Sequence, residues 1–305
     1  FEREPNGVAA TAQDISVTGQ VLGAFASRAS ITNVSALTAD GNVRVAVVGT
    51  SGGDNAGFNA IVNQLNNDTF FDFTATLVTA SQIDTVAELQ AYDVVVIGEN
   101  GLNQNQFEIF APALRSWVES GGGVVATGWT IFGAGPSTPP TVVDIDAIIP
   151  VNFAGGYNYL LAQTVVPNAT VHPITEGVLG FTPGTYIEFP ASSPQVDQGA
   201  TILATAAGQP VVVSGNPGRG RSVYLGPIYS GSSGYDTSTL RSGEADRLLE
   251  QALAWAGARD QVDQYLIQAT TGELRVTTTT PGGDTGEPNN RLVPKLELFN
   301  SSGLL

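Results

Sequence analysis

His172 is the only imidazole in the chain, and there is no cysteine. Those two facts confine the chemistry before any element is assigned. Thiol nucleophiles, thiolate metal sites and disulfides are excluded. A multi-histidine zinc site cannot form, and a Ser-His-Asp arrangement has one base to draw on. His172 reads either as a general base or metal ligand, or as a cap that satisfies backbone groups in the turn before Pro173, and the cap is the favoured reading. Asp144, Asp146, Glu176 and Glu188 share one irregular stretch. A paired-carboxylate hydrolase or a Ca2+ site could be built there, but solvated acidic surface is the expectation. The aromatic side chains Trp129, Phe132, Phe153, Tyr157 and Tyr159 lie in the same stretch. Their rings suit stacking on a sugar, and suit equally well covering a sheet or an interface. The candidate ligand-binding set is therefore Trp129, Tyr157, Tyr159, His172 and Glu176, and no catalytic residue is assigned. Thr50-Ser51-Gly52-Gly53-Asp54 could cradle an anion at a helix N-terminus. It lacks the Walker lysine and a full dinucleotide fingerprint, so Asp54 or Asn55 is expected to cap the next helix. Asp260 and Asp263 are the candidate Ca2+ ligands, with a polar turn as the default; no other cofactor is expected.

The elements that must position these residues follow from periodicity. Val43-Arg44-Val45-Ala46-Val47-Val48-Gly49 is the near-continuous apolar run of a strand buried on both faces. A helix with Phe58, Ile61, Val62 and Leu65 at helical spacing follows. Then come a strand at 73–78, a short helix with Val86 and Leu89, and a second buried strand at 92–98. Residues 104–119 form an amphipathic helix stopped by Gly121-Gly122-Gly123, and 124–127 is the next strand. This β-α alternation predicts an α/β fold, a doubly wound parallel sheet. Residues 129–190 read as irregular. Strands at 201–205 and 210–214, the segment 218–226 and a helix at 243–256 complete the region. Outside it the pattern is period-2, in 15–22, 265–267, 274–277 and 296–299. The expected domains are 1–41 and 259–305 as two parts of one small antiparallel β-sandwich, with 42–258 as an α/β domain inserted between them.

The formal charge is −16, from 28 acidic and 12 basic residues, with Lys295 as the one lysine. A field of that sign repels phosphate backbones, so nucleic acid is not expected as a partner. No apolar run reaches the roughly 18–20 residues of a membrane helix. The chain begins at Phe1 and contains no Met, so removal of an initiator is expected.

Several motifs carry a resemblance. They are the 43–49 strand with its Gly-rich turn, Tyr92-Asp93-Val94-Val95-Val96, Gly121-Gly122-Gly123-Val124-Val125-Ala126, His172-Pro173-Ile174-Thr175-Glu176-Gly177, and Gly218-Arg219-Gly220-Arg221-Ser222-Val223-Tyr224 with the helix after it. In this order and spacing, residues 43–257 resemble the trehalose-utilisation-type domains, relatives of the class I glutamine amidotransferases. The resemblance implies that the turn Thr127-Gly128-Trp129-Thr130 stands where those relatives carry a nucleophilic cysteine. The flanks, with Glu4-Pro5-Asn6-Gly7, Asp260-Gln261-Val262-Asp263-Gln264-Tyr265 and Thr271-Gly272-Glu273-Leu274-Arg275-Val276, resemble the bacterial pre-peptidase C-terminal domain, a secreted β-sandwich. That sandwich has strands beyond the point that corresponds to Leu305, which implies further chain or a strand from a neighbouring molecule.

The first expected function is a non-catalytic extracellular structural protein, secreted or at the cell surface, that self-associates as a filament, matrix or adhesion subunit. Strand complementation would use Glu4, Pro5, Asn6, Ile15, Val17, Leu296, Leu298 and Phe299. The alternative is a carbohydrate-binding or accessory module of a larger secreted hydrolase, with a glycan as partner. An enzyme acting on a sugar is the third reading, and the missing thiol counts against it.

Overall fold

The computed structural model describes residues 43–51, 53–67, 71, 73–98, 104–135, 142–170 and 172–257, and the backbone of the pairs 13–14, 265–266, 299–300 and 303–304. The chain divides into two compact units, one of residues 1–31 and 260–305 and the other of residues 32–259. In the first unit, β1 (Gln13–Asp14) pairs with a strand some 250 residues later, Tyr265–Leu266, in parallel, and Phe299–Asn300 pairs antiparallel with Gly303–Leu304. Glu4, Pro5, Asn6, Ile15, Val17, Leu296, Leu298, Asp260 and Asp263 lie outside the described residues.

The second unit is built on one eight-stranded sheet. Its elements in chain order are β2 (Val43–Val48), α1 (Ala56–Asn66), β3 (Phe73–Val78), α2 (Val86–Leu89), β4 (Val94–Ile97), α3 (Gln104–Glu119), β5 (Gly123–Thr127), α4 (Thr130–Ala134), α5 (Val143–Asp146), β6 (Tyr157–Leu161), β7 (Val166–Pro167), β8 (Tyr186–Pro190), β9 (Thr201–Ala206), β10 (Gln209–Gly215), β11 (Arg221–Leu225) and α6 (Gly243–Gly257). The sheet order is β3-β2-β4-β5-β11-β10-β9-β7, and β6 and β8 form a separate antiparallel pair. Strands β3, β2, β4, β5 and β11 run parallel. Winding reverses after β3, so right-handed crossovers put α1 and α3 on opposite faces. Helix α6 lies with α1, since Gln64 Nε2 donates to Asp246 Oδ1 at 2.6 Å.

Burial explains the strand texture. Every residue of β4 and β5 is buried, which requires the unbroken apolar runs seen in the sequence. Helix α3 presents Phe107, Phe110, Ala111, Leu114, Trp117 and Val118 to the core, and α6 presents Ala245, Leu248, Leu249, Ala252, Leu253 and Ala256.

Two expectations need amendment. The sheet is mixed, because β10 runs antiparallel to both β11 and β9. The β9–β10 turn carries Ala207 at φ 48° and Gly208 at φ 79°, two consecutive left-handed residues of the kind that close a two-residue hairpin. The stretch 129–190 is also less irregular than read, for it holds α4, α5 and the β6–β8 pair. Tyr186-Ile187-Glu188-Phe189 has little clean alternation because the strand is buried on most positions.

Candidate functional site

The carboxyl ends of the parallel strands are where open α/β sheets bind ligands. Strand β5 ends there in a sharp turn. Thr127 is followed by Gly128, by Trp129 at φ 68° and ψ 7°, and at once by α4. A strand-to-helix turn with a left-handed residue at its apex is the geometry that presents a nucleophile in hydrolases. A residue with a Cβ pays roughly 1–2 kcal/mol to stand in that conformation. Gly128 has no room for a side chain, since a Cβ there would come within 2.3 Å of the Gly226 carbonyl oxygen. The turn is further pinned by Thr130 Oγ1, which donates to the Thr127 carbonyl at 2.7 Å, and by a 3.0 Å hydrogen bond between the Thr127 and Ser230 hydroxyls.

The strained apex is held from beneath by Glu188. Its side chain is completely buried. The carboxyl group accepts from the Phe132 amide at 2.8 Å, the Ile131 amide at 3.2 Å and the Tyr224 hydroxyl at 3.0 Å. Burial pushes the Glu188 carboxyl up to about 8, against the pull of those donors. Tyr224 is pushed up by its own burial and then by the neighbouring carboxylate. The expectation of a solvated Glu188 is therefore corrected: β8 turns it inward, where only a hydrogen-bonded carboxyl can stand.

Above the apex the indole of Trp129 is the hub of an aromatic face. Its ring centroid lies 5.4 Å from Tyr157, 5.8 Å from Tyr186, 5.9 Å from Phe132 and 6.0 Å from Tyr159. Tyr186 extends the cluster to Tyr235 at 5.9 Å. Most pairs meet edge to face, the favoured aromatic geometry. Trp129 is only 8% exposed, whereas Phe132 is 41% and Tyr159 57% exposed. Three sequence candidates, Trp129, Tyr157 and Tyr159, are thus brought together, with Phe132. Phe153 is fully buried in the core. The sequence does not mark Tyr186 and Tyr235, because they reach the cluster from β8 and from the loop after β11, distant in sequence.

His172 and Glu176 stand elsewhere. They line a separate hollow of about 260 Å3 with Asn168, Thr170 and Thr175. The His172 ring lies 5.1 Å from Trp255, whose carbonyl accepts from Arg221, the first residue of β11. That places the hollow near the amino ends of β11 and β5, whereas the aromatic face follows the carboxyl end of β5. His172 Nδ1 accepts from the Ile174 amide at 3.2 Å, so it caps the turn Pro173–Thr175. Burial, and then the Arg221 charge, push its imidazole down to about 4, so it is neutral near pH 7 with its Nδ1 lone pair engaged.

The other polar candidates are tied into the structure. Asn55 closes the turn after β2, accepting from the Thr50 amide at 2.7 Å and donating to the Thr50 carbonyl at 2.9 Å. Asp54 accepts from the Ala56 amide at 2.9 Å and from Ser233. Asp144 pairs with Arg115 at 3.0 Å, and Asp146 accepts from the Phe153 amide at 3.0 Å. Among the described residues, no cluster of three or more His, Asp or Glu side chains could hold a metal ion, and no helix is long and apolar enough to cross a membrane.

No protein-family model and no curated protein matches the chain. Solved structures do. A cytoplasmic protein from Salmonella typhimurium LT2 is 16% identical with a TM-score of 0.53, the match covering 70% of this chain and 99% of that one. A second Salmonella typhimurium cytoplasmic protein is 16% identical with a TM-score of 0.50 over 70% and 98% of the two chains. A ThuA-like protein from Bacteroides uniformis is also 16% identical, with a TM-score of 0.51 over 70% and 91%. The expected secreted or cell-surface location is contradicted by the first two, which are cytoplasmic proteins of the same fold, and it is withdrawn. At this level of identity the likeness establishes architecture: this chain carries the α/β fold of the ThuA-like proteins, the fold implied by its trehalose-utilisation-type motifs.

Proposed function

We propose that the α/β unit is a non-catalytic binding module that takes a sugar ring on the aromatic face around Trp129. The observation that carries this reading is the residue at the strained apex of the β5–α4 turn. An indole, half-ringed by Phe132, Tyr157, Tyr159 and Tyr186, occupies the position from which a nucleophile would act. The amides beside it, which in a hydrolase would stabilise an oxyanion, are engaged by Glu188. Exposed rings next to tyrosine hydroxyls suit a ligand that is apolar on its ring face and polar at its rim.

The test is titration of the protein against a panel of soluble oligosaccharides, followed by the Phe132→Ala and Tyr159→Ala variants. The reading expects binding without turnover and at least a tenfold loss of affinity in each variant, about 1.4 kcal/mol. Release of cleaved product that survives both substitutions would refute it.

Self-association is a second reading. It is favoured by the grouping of the two ends of the chain in one unit, where Gln13–Asp14 lies hydrogen-bonded beside Tyr265–Leu266. A unit assembled from distant segments could exchange a strand between copies.

A further inference from the structure

We propose that Glu188 is the positioning residue of the aromatic face, tying the turn that carries Trp129 to β8 and so fixing where the indole stands. The inference rests on the sugar-binding reading for its functional meaning. Its physical content can be tested without a sugar.

Trp129 and Phe132 flank the start of α4, whereas Tyr157, Tyr159 and Tyr186 stand on the β6–β8 pair. The face is therefore assembled from two separate pieces of chain. Helix α4 has five residues, too few to hold its own shape in isolation. Glu188 belongs to β8 by its backbone and to the α4 turn by its side chain. It links the two halves through the amides of Ile131 and Phe132, the second and third residues of α4. Tyr224 of β11 fixes the carboxyl from the third side, and the Glu188 amide donates to the Gly226 carbonyl at 2.8 Å. The carboxyl is thus anchored to the sheet while it grips the turn. The strained conformation of Trp129 persists only if surrounding contacts over-determine it, and these are contacts able to do so. Tyr186, two residues before Glu188 on the same strand, touches the Trp129 ring at a centroid distance of 5.8 Å, so register along β8 sets both contacts together.

The experiment is amide hydrogen exchange, read by mass spectrometry on the ligand-free protein, for wild type, Glu188→Gln and Glu188→Ala. Glutamine keeps one acceptor oxygen and alanine keeps none. The expected result is exchange over residues 129–133 accelerated at least tenfold in Glu188→Ala and by less in Glu188→Gln, with β2, β4 and α6 unchanged. Added sodium formate, which supplies a carboxyl group small enough for the vacated space, should return protection to Glu188→Ala alone. Should Glu188→Ala fail to fold, Glu188→Gln alone decides, by local acceleration confined to 129–133. Exchange in that segment equal to wild type in a folded variant would overturn the proposal. A wild type that binds no sugar sinks the functional reading and leaves this result standing. A wild type that binds sugar with unaltered affinity and exchange in both variants sinks the positioning role alone.

Discussion

At the residue scale the decisive side chains are Trp129, Glu188 and His172, and each carries a signature. Burial raises the Glu188 carboxyl to about 8, so the folded chain holds a proton that the unfolded chain releases near pH ~4.3. Stability from this group is fully present below that lower value and is lost as the pH rises toward about 8, after which it levels off. Glu188→Gln is expected to flatten the pH dependence of the urea midpoint over that interval; an unchanged slope would show the carboxyl to be ionised throughout. His172 works in the opposite sense. Its imidazole, pushed down to about 4, contributes stability above pH ~6.5 that is lost as the pH falls toward 4. His172→Ala removes a cap and a ring contact with Trp255, and should cost about 1 kcal/mol while leaving sugar binding intact. A loss of binding in that variant would relocate the site to the hollow around Glu176.

At the element scale, much of the architecture was legible. The runs at 43–49 and 124–127 read as buried parallel strands because both faces of each are covered, and helices α3 and α6 announced themselves by their apolar stripes. The antiparallel half of the sheet was not legible, since a strand buried on both faces reads the same in either direction. The signal lay in the turn: Ala207-Gly208 is a two-residue connection with both residues left-handed. Ala207 stands at φ 48° with a Cβ, so Ala207→Gly should relieve strain and stabilise the hairpin by up to about 1 kcal/mol, visible as a rise in melting temperature. A fall would mean that the alanine's restriction of the unfolded chain outweighs the strain. The site was legible in part. Trp129, Phe132, Tyr157 and Tyr159 read from the sequence as rings for a sugar or for covering a sheet or an interface, with neither use favoured, and Phe153, grouped with them, lies in the core. Glu188 reads as surface, because a carboxylate in an acidic chain gives no hint that its strand faces inward.

At the scale of the whole molecule, the two compact units raise separate questions. The α/β unit carries the fold and the aromatic face. The unit made from the ends of the chain carries the assembly reading, and most of the residues named for it lie outside those described. Deletion of residues 1–12 is expected to leave the α/β unit folded and to abolish self-association, as read by size-exclusion chromatography; assembly unchanged by the deletion would dismiss strand exchange through that segment. The charge of −16 bears on ligand class, since an acidic molecule disfavours polyanions and suits a neutral saccharide.

The central claim is that the rings around Trp129 form a binding face, and calorimetric titration of Tyr159→Ala tests it most directly. Tyr159 is 57% exposed, so its removal should leave the melting temperature close to that of wild type. The account predicts that an oligosaccharide bound by the wild type is bound at least tenfold more weakly by this variant. Full affinity in Tyr159→Ala, or no binding of any sugar by the wild type, would contradict it.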